Sequence, residues 1–202
     1  MSESATIQSP PAGAIRTGKR ELTAHRITVA AQELALEHGL DGFTMEQLAE
    51  RAEVSRRTLF NYFPSKDDAV LGGPPVISED ALAAFTAGGP TGRLVDDLAS
   101  LVLAVLAESP DTRDDVARGR AVMLANPRLI THAHQRLQES VESCLGMMEA
   151  REGRGFSRPR VDVAIALVLA SFHLAMDRYL DTDSELAALF TETLATARDL
   201  LI

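Results

Sequence analysis

Arg56, Arg57, Thr58, Asn61 and Tyr62 lie within seven consecutive residues of a 202-residue chain, and helical spacing leaves all five for the outer surface of one short helix. Their chemistry is hydrogen bonding rather than bond making. Each arginine is able to grip guanine O6 and N7 in a bidentate contact, which contributes roughly 1–3 kcal/mol of discrimination against a wrong base. The spacing does not say which arginine does so. Adjacent arginines on a short helix are by themselves most often a solvated face, so the flanking residues decide the reading. Bond-making chemistry finds no support elsewhere: the sequence has no nucleophile elbow, no phosphate-cradling glycine loop and no paired-His zinc signature, and it reads as a non-enzyme without cofactor or metal.

The elements that position these residues are legible on either side. Thr44 stands just before an apolar-periodic segment, with Gln47 three residues on to complete a capping box, so a helix is predicted to start there. Leu48, Ala49 and Ala52 share one face of it, whereas Glu46, Gln47, Glu50 and Arg51 take the other sides. Ser55 offers a second N-cap only a few residues later, which requires a sharp turn around Glu53 and Val54. In the second helix Leu59 and Phe63 lie four apart and point inward. Pro64 ends that helix, and Ser65 caps a third, with Asp68 at its capping-box position. Lys66 then falls in a helical first turn, where a cation is slightly unfavourable on dipole grounds and needs another reason to be present.

The run from Thr44 through LAERAEVSRRTLFNYFPSK resembles the DNA-binding domain of the TetR family of bacterial regulators, over about a quarter of the chain, Ile27 to Ala69. The resemblance implies that Arg56, Arg57, Thr58 and Phe60 contact base edges and that Thr44, Tyr62 and Lys66 hold phosphates, with Asn61 on the same outward face. Two positions depart from the family pattern. Glu53 stands at a turn position that is often Gly, so either a left-handed backbone there is mildly strained or the turn differs slightly. Phe60 replaces the usual Tyr, which removes a hydroxyl and leaves an apolar contact, for example to a thymine methyl.

Charge is distributed unevenly. Residues 1–66 contain eight cations and eight acids, so the whole net charge of −9 belongs to the remainder of the chain. An acidic bulk repels DNA at long range and disfavours non-specific packaging of it, so binding must come from a local basic face. Arg16, Lys19 and Arg20 form a short basic arm suited to a phosphate or the minor groove, and residues 1–20, with SPPAGA before those cations, are expected to be disordered without DNA. The single cysteine, Cys144, excludes an intramolecular disulfide and fits a reducing cytoplasm. No secretory signal is expected, and the longest apolar run, 163–176, is too short for a membrane span and contains Ser171 and His173.

The remaining chain shows no strand-like alternation, and the fold is expected to be all-α: a three-helix helix-turn-helix DNA-binding domain over 21–66 and a helical ligand-binding and dimerisation domain over 67–202. The first helix is predicted from Glu21 to His38, with Ile27, Ala30, Ala31 and Leu34 inward and Gly39 as its C-cap. GGPP at 72–75 and GGPTG at 88–92 bracket a helix from Glu79 to Phe85. Further helices are predicted at 92–107, 111–125, 127–151, 159–180 and 184–201. The run VAIALVLASFHLAM is apolar nearly all round, which suits a core helix or one shared with a partner, and small Ala164, Ala166, Ala170 and Ser171 permit close packing.

The family resemblance implies a homodimer through the last two helices and a palindromic double-stranded DNA operator. It also implies a small-molecule inducer bound between 94 and 176, with Met123, His132, Met147, Met148, Phe172 and Met176 as candidate lining. Met on a helix is more often core filling, and His132 and His134, two apart, face different ways and do not share a metal. RAVMLANPRLITHAHQRL is loosely similar to regulators related to the mycofactocin regulator, which hints at a long acyl ligand. The resulting expectation is a cytoplasmic repressor released from DNA by an apolar ligand; the alternative is a constitutive or protein-regulated DNA-binding factor without one.

Overall fold

The structure, a computed structural model, describes residues 12–200, and the side chains of 18–200. All elements among the described residues are helical, and the chain divides into two compact units between Gly73 and Pro74.

The first unit contains α1 (Ala12–His38), α2 (Met45–Arg51), α3 (Arg56–Tyr62) and α4 (Lys66–Leu71). Ile27, Ala30, Ala31 and Leu34 form the inward stripe of α1 and are buried. Gly39 ends α1 with φ of +76°, and its N–H donates to the Ala35 carbonyl, as a left-handed C-cap requires. Gly42 has a different reason to be glycine: a Cβ there would stand 2.0 Å from the His38 carbonyl oxygen. Leu40 and Phe43, in and after the turn, are buried, as are Leu48, Leu59 and Phe63.

Two expectations about this unit are corrected. The first helix begins at Ala12 rather than Glu21, so Lys19 and Arg20 are helical and not part of a separate arm; past Pro11 no proline interrupts a run containing Ala, Arg, Lys and Glu. Residues 1–11 and the side chain of Arg16 lie outside the described residues. The unit also extends past Lys66, because α4 packs on α1 through buried Ala69 and Val70, and Gln32 Nε2 donates to the Val70 carbonyl at 3.1 Å. The first unit therefore has four helices.

The second unit contains α5 (Glu79–Thr86), α6 (Leu94–Glu108), α7 (Arg113–Ala125), α8 (Pro127–Glu152), α9 (Arg158–Asp181) and α10 (Leu186–Asp199). α9 packs along α10 and across α6, and burying Val168, Ala175, Leu189, Phe190 and Leu194 with Ala99 builds one core. Phe85, Leu94, Met148, Val161 and Ala164 build a second. The predicted helices agree with the observed ones to within two residues at each end in this unit, since Ser78, Thr112, Pro127 and Pro159 mark starts that the backbone uses.

A buried ion pair lies beside the second core. Arg151, near the end of α8, directs Nη2 to Asp97 Oδ2 at 2.5 Å and Nη1 to the Phe85 carbonyl, while its guanidinium lies 4.5 Å from the Phe85 ring centroid. Thr91 donates both its N–H and its hydroxyl to Asp97 Oδ1 at 2.7 Å. Burial pushes the Asp97 carboxyl up, but the Thr91 hydrogen bonds and the Arg151 charge outweigh that and hold it below the usual carboxylate range.

Candidate nucleic-acid interface

α3 is fixed from beneath and free above. Leu59 is fully buried and Phe63 nearly so, which sets the rotation of the helix about its axis. Ser55 caps its start by accepting from the Thr58 N–H at 3.0 Å, and the two hydroxyls are 2.8 Å apart. Thr58 is thus half-buried and engaged in the cap. Arg56, Arg57, Phe60 and Asn61 are exposed together on the opposite side.

α2 is held in register by its capping box: the Gln47 N–H donates to Thr44 Oγ1 at 3.2 Å, and the Thr44 N–H donates to Gln47 Oε1 at 2.8 Å. Arg51 ties α2 to α1 through a bidentate contact to Glu37, and hydrogen bonding to Arg51 holds the Glu37 carboxyl below the usual carboxylate range. Between α2 and α3 the chain turns at Glu53 with φ of +52°, a left-handed conformation, and Val54 N–H returns to the Ala49 carbonyl. Both helices of a helix-turn-helix are therefore locked to each other and to α1.

The remaining nominated residues border the same face. Arg20 stacks over Tyr62 with its guanidinium carbon 5.6 Å from the ring centroid, which brings the basic part of α1 against the end of α3. Lys19 is exposed one residue away. Lys66 has the structural reason that the dipole argument required: its ammonium donates to the Phe43 carbonyl at 2.9 Å and lies 5.0 Å from the Phe43 ring centroid, so it closes the turn before α2. One residue escaped the sequence reading. Glu46, in the first turn of α2, forms an ion pair with Arg56 at 2.9 Å, a contact across ten residues and a turn that no local spacing signals.

Residues 27–71 match the family described as bacterial regulatory proteins, tetR family. Across 91% of the chain and 85% of the relative, the sequence is 29% identical to the HTH-type transcriptional regulator TcmR of Streptomyces glaucescens. The first unit thus matches the DNA-binding domain of that family, and the chain as a whole is similar to one of its regulators. A crystal structure from Mesorhizobium loti assigned to TetR-family transcriptional regulators is similar over 91% of this chain and 96% of its own, with 17% identity and a TM-score of 0.48. Both α2 and α3 lie within the residues that match the regulatory family.

The six residues nominated for a ligand do not converge. Met147 and Met148 join the core around Phe85 and Val161, whereas Phe172 packs edge-on against Phe190, 5.9 Å between ring centroids, in the other core. Met123, His132 and Met176 are half-buried outside both clusters. A groove of about 360 Å³ opens instead along α9 and α10, lined by Leu167, Ala170, Leu174, Thr193, Ala197 and Leu200 among others, and none of the six lines it. The small residues of α9 also divide: Ala164 and Ser171 face the core, Ala166 and Ala170 face outward, and His173 is exposed. By length and composition α9 passes for a membrane span, since the helix extends well beyond the 163–176 run, but a core helix passes the same test and five α9 residues are buried against its neighbours.

Proposed function

We propose that the chain is a homodimeric repressor in the cytoplasm that binds a palindromic operator through paired α3 helices and leaves it when an apolar small molecule binds the helical unit. The exposed Arg56, Arg57, Phe60 and Asn61, presented by a helix whose inner residues lock its rotation, carry the DNA reading. One such helix reaches only a few base pairs, so two copies related by a twofold axis are needed for specific affinity. The outer face of α9 fits that role. Val163 and Leu174 are 68% and 57% exposed, with Ala166 and Ala170 between them, an apolar strip that leaves room for the backbone of a second copy to approach.

The ligand reading rests on α6. From Leu101 to Leu106 every residue is apolar and only half-buried, and between Leu129 and Met148 no residue of α8 is fully buried. That leaves apolar surface for a small molecule to cover, and a ligand that prefers one dimer geometry shifts the population away from the DNA-competent one.

Selection of duplexes from a random library, followed by binding of the selected site, tests the reading. The R56A/R57A double variant is expected to remain dimeric and lose discrimination between the selected site and random DNA. Undiminished discrimination would refute the assignment of α3, and selection of non-palindromic sites would refute the paired arrangement.

A further inference from the structure

Arg56 and Arg57 are adjacent, yet the structure treats them differently. Arg57 makes no ion pair or hydrogen bond among the described residues. Arg56 is held twice: Nη1 pairs with Glu46 Oε1 at 2.9 Å, and its guanidinium carbon lies 5.6 Å from the Phe60 ring centroid, one turn along α3. Glu46, Arg56 and Phe60 thus form one cluster reaching from the start of α2 to the second turn of α3.

The pair is of little use for folding. Its side chains are 67% and 56% exposed, and exposed ion pairs contribute little to stability. Its electrostatic effect on the DNA face is larger. A carboxylate there is repelled by phosphates, and it cancels the arginine charge that would otherwise seek them. Held by Glu46 on one side and Phe60 on the other, the planar guanidinium also loses much of its freedom to swing to the backbone.

We propose that Glu46 is a specificity-determining positioning residue: it withholds Arg56 from phosphates and keeps it placed for a base edge. Arg57 then supplies the uncommitted cation of the same turn. The inference rests on α3 being the DNA-reading helix. It predicts that Glu46→Gln, which preserves side-chain shape and the Thr44–Gln47 cap, tightens binding to DNA of any sequence and weakens discrimination.

The test measures wild type, E46Q, R56A and E46Q/R56A against a library-selected duplex and a random duplex of equal length, across a salt series. For E46Q, affinity for the random duplex is expected to rise roughly tenfold, with the slope of log affinity against log salt steeper by about one per α3 helix. The selected-to-random ratio falls. In the R56A background the Glu46→Gln change is expected to have no such effect, because the carboxylate acts through Arg56. An effect of equal size in both backgrounds would overturn the proposal in favour of plain charge removal, as would an unchanged ratio and slope in E46Q. If R56A itself loses no discrimination, the reading of α3 fails and takes this inference with it. If R56A is impaired while E46Q matches wild type, only the role of Glu46 fails.

Discussion

Arg151→Leu perturbs the buried ion pair of the helical unit, and its cost follows from what the arginine touches. The Arg151 side chain is 2% exposed and that of Asp97 fully buried. Removing the guanidinium strands a buried carboxylate and deprives the Phe85 carbonyl of its donor. Breaking one side of a buried pair costs about 3–5 kcal/mol. Asp97 keeps both hydrogen bonds from Thr91, which places the expected loss in the lower half of that range, about 3–4 kcal/mol. For a unit of this size that corresponds to a fall in Tm of about 10–15 °C. Adding Asp97→Asn removes the stranded charge while keeping an acceptor for Thr91, so R151L/D97N is expected to recover about 2 kcal/mol relative to R151L alone. Urea unfolding followed by circular dichroism, at fixed protein concentration, measures all three variants. A loss below about 1 kcal/mol for R151L, or no recovery in the double variant, would refute the argument that the pair is a committed buried charge contact. The same group has a pH consequence. Because its folded pKa is depressed, Asp97 contributes stability that is present above its unfolded pKa and is lost as pH falls through the folded one. The acid limb of a stability profile below about pH 4 is expected to be shallower in D97N than in wild type.

Ala166→Glu places a charge on the exposed strip of α9 and is expected to shift sedimentation from dimer to monomer and to weaken operator binding; an intact dimer would mean the partner docks elsewhere. Lys66→Ala removes the donor to the Phe43 carbonyl, and it is expected to lower stability of the DNA-binding unit by about 1–2 kcal/mol and to weaken binding to all sequences alike, a pattern visible by comparing melting with a DNA titration. Loss confined to one base position would contradict it. Glu53→Gly relieves a left-handed residue on the surface and, after the entropic cost of glycine, is expected to leave stability unchanged or raise it by up to about 1 kcal/mol, checked by thermal melting.

The local signals in the sequence were strong where chemistry and spacing act over three or four residues. Thr44 with Gln47, Ser55 with Thr58 and Ser65 with Asp68 cap the helices they were expected to cap, and Gly39 ends α1. The inward rotation of α3 follows from Leu59 and Phe63 alone. The start of α1 was misread because a basic, glycine-containing segment suggested an arm, whereas helix propensity carries the helix back to Ala12.

What only the tertiary structure decided lies across distance in the chain. Nothing near Lys66 announces the Phe43 carbonyl, nothing near Arg56 announces Glu46, and Arg151 meets Asp97 from 54 residues away. The six ligand candidates illustrate the same limit, since apolar type and helical period assign a side chain to a face but not to one of two cores. The sequence by itself determined the helices, their caps and the outward set on α3, because those depend on short-range hydrogen bonds and on the 3.6-residue period. Which cation on that set is held and which is free was decided by packing α2 against α3, a contact set by buried side chains far from either arginine.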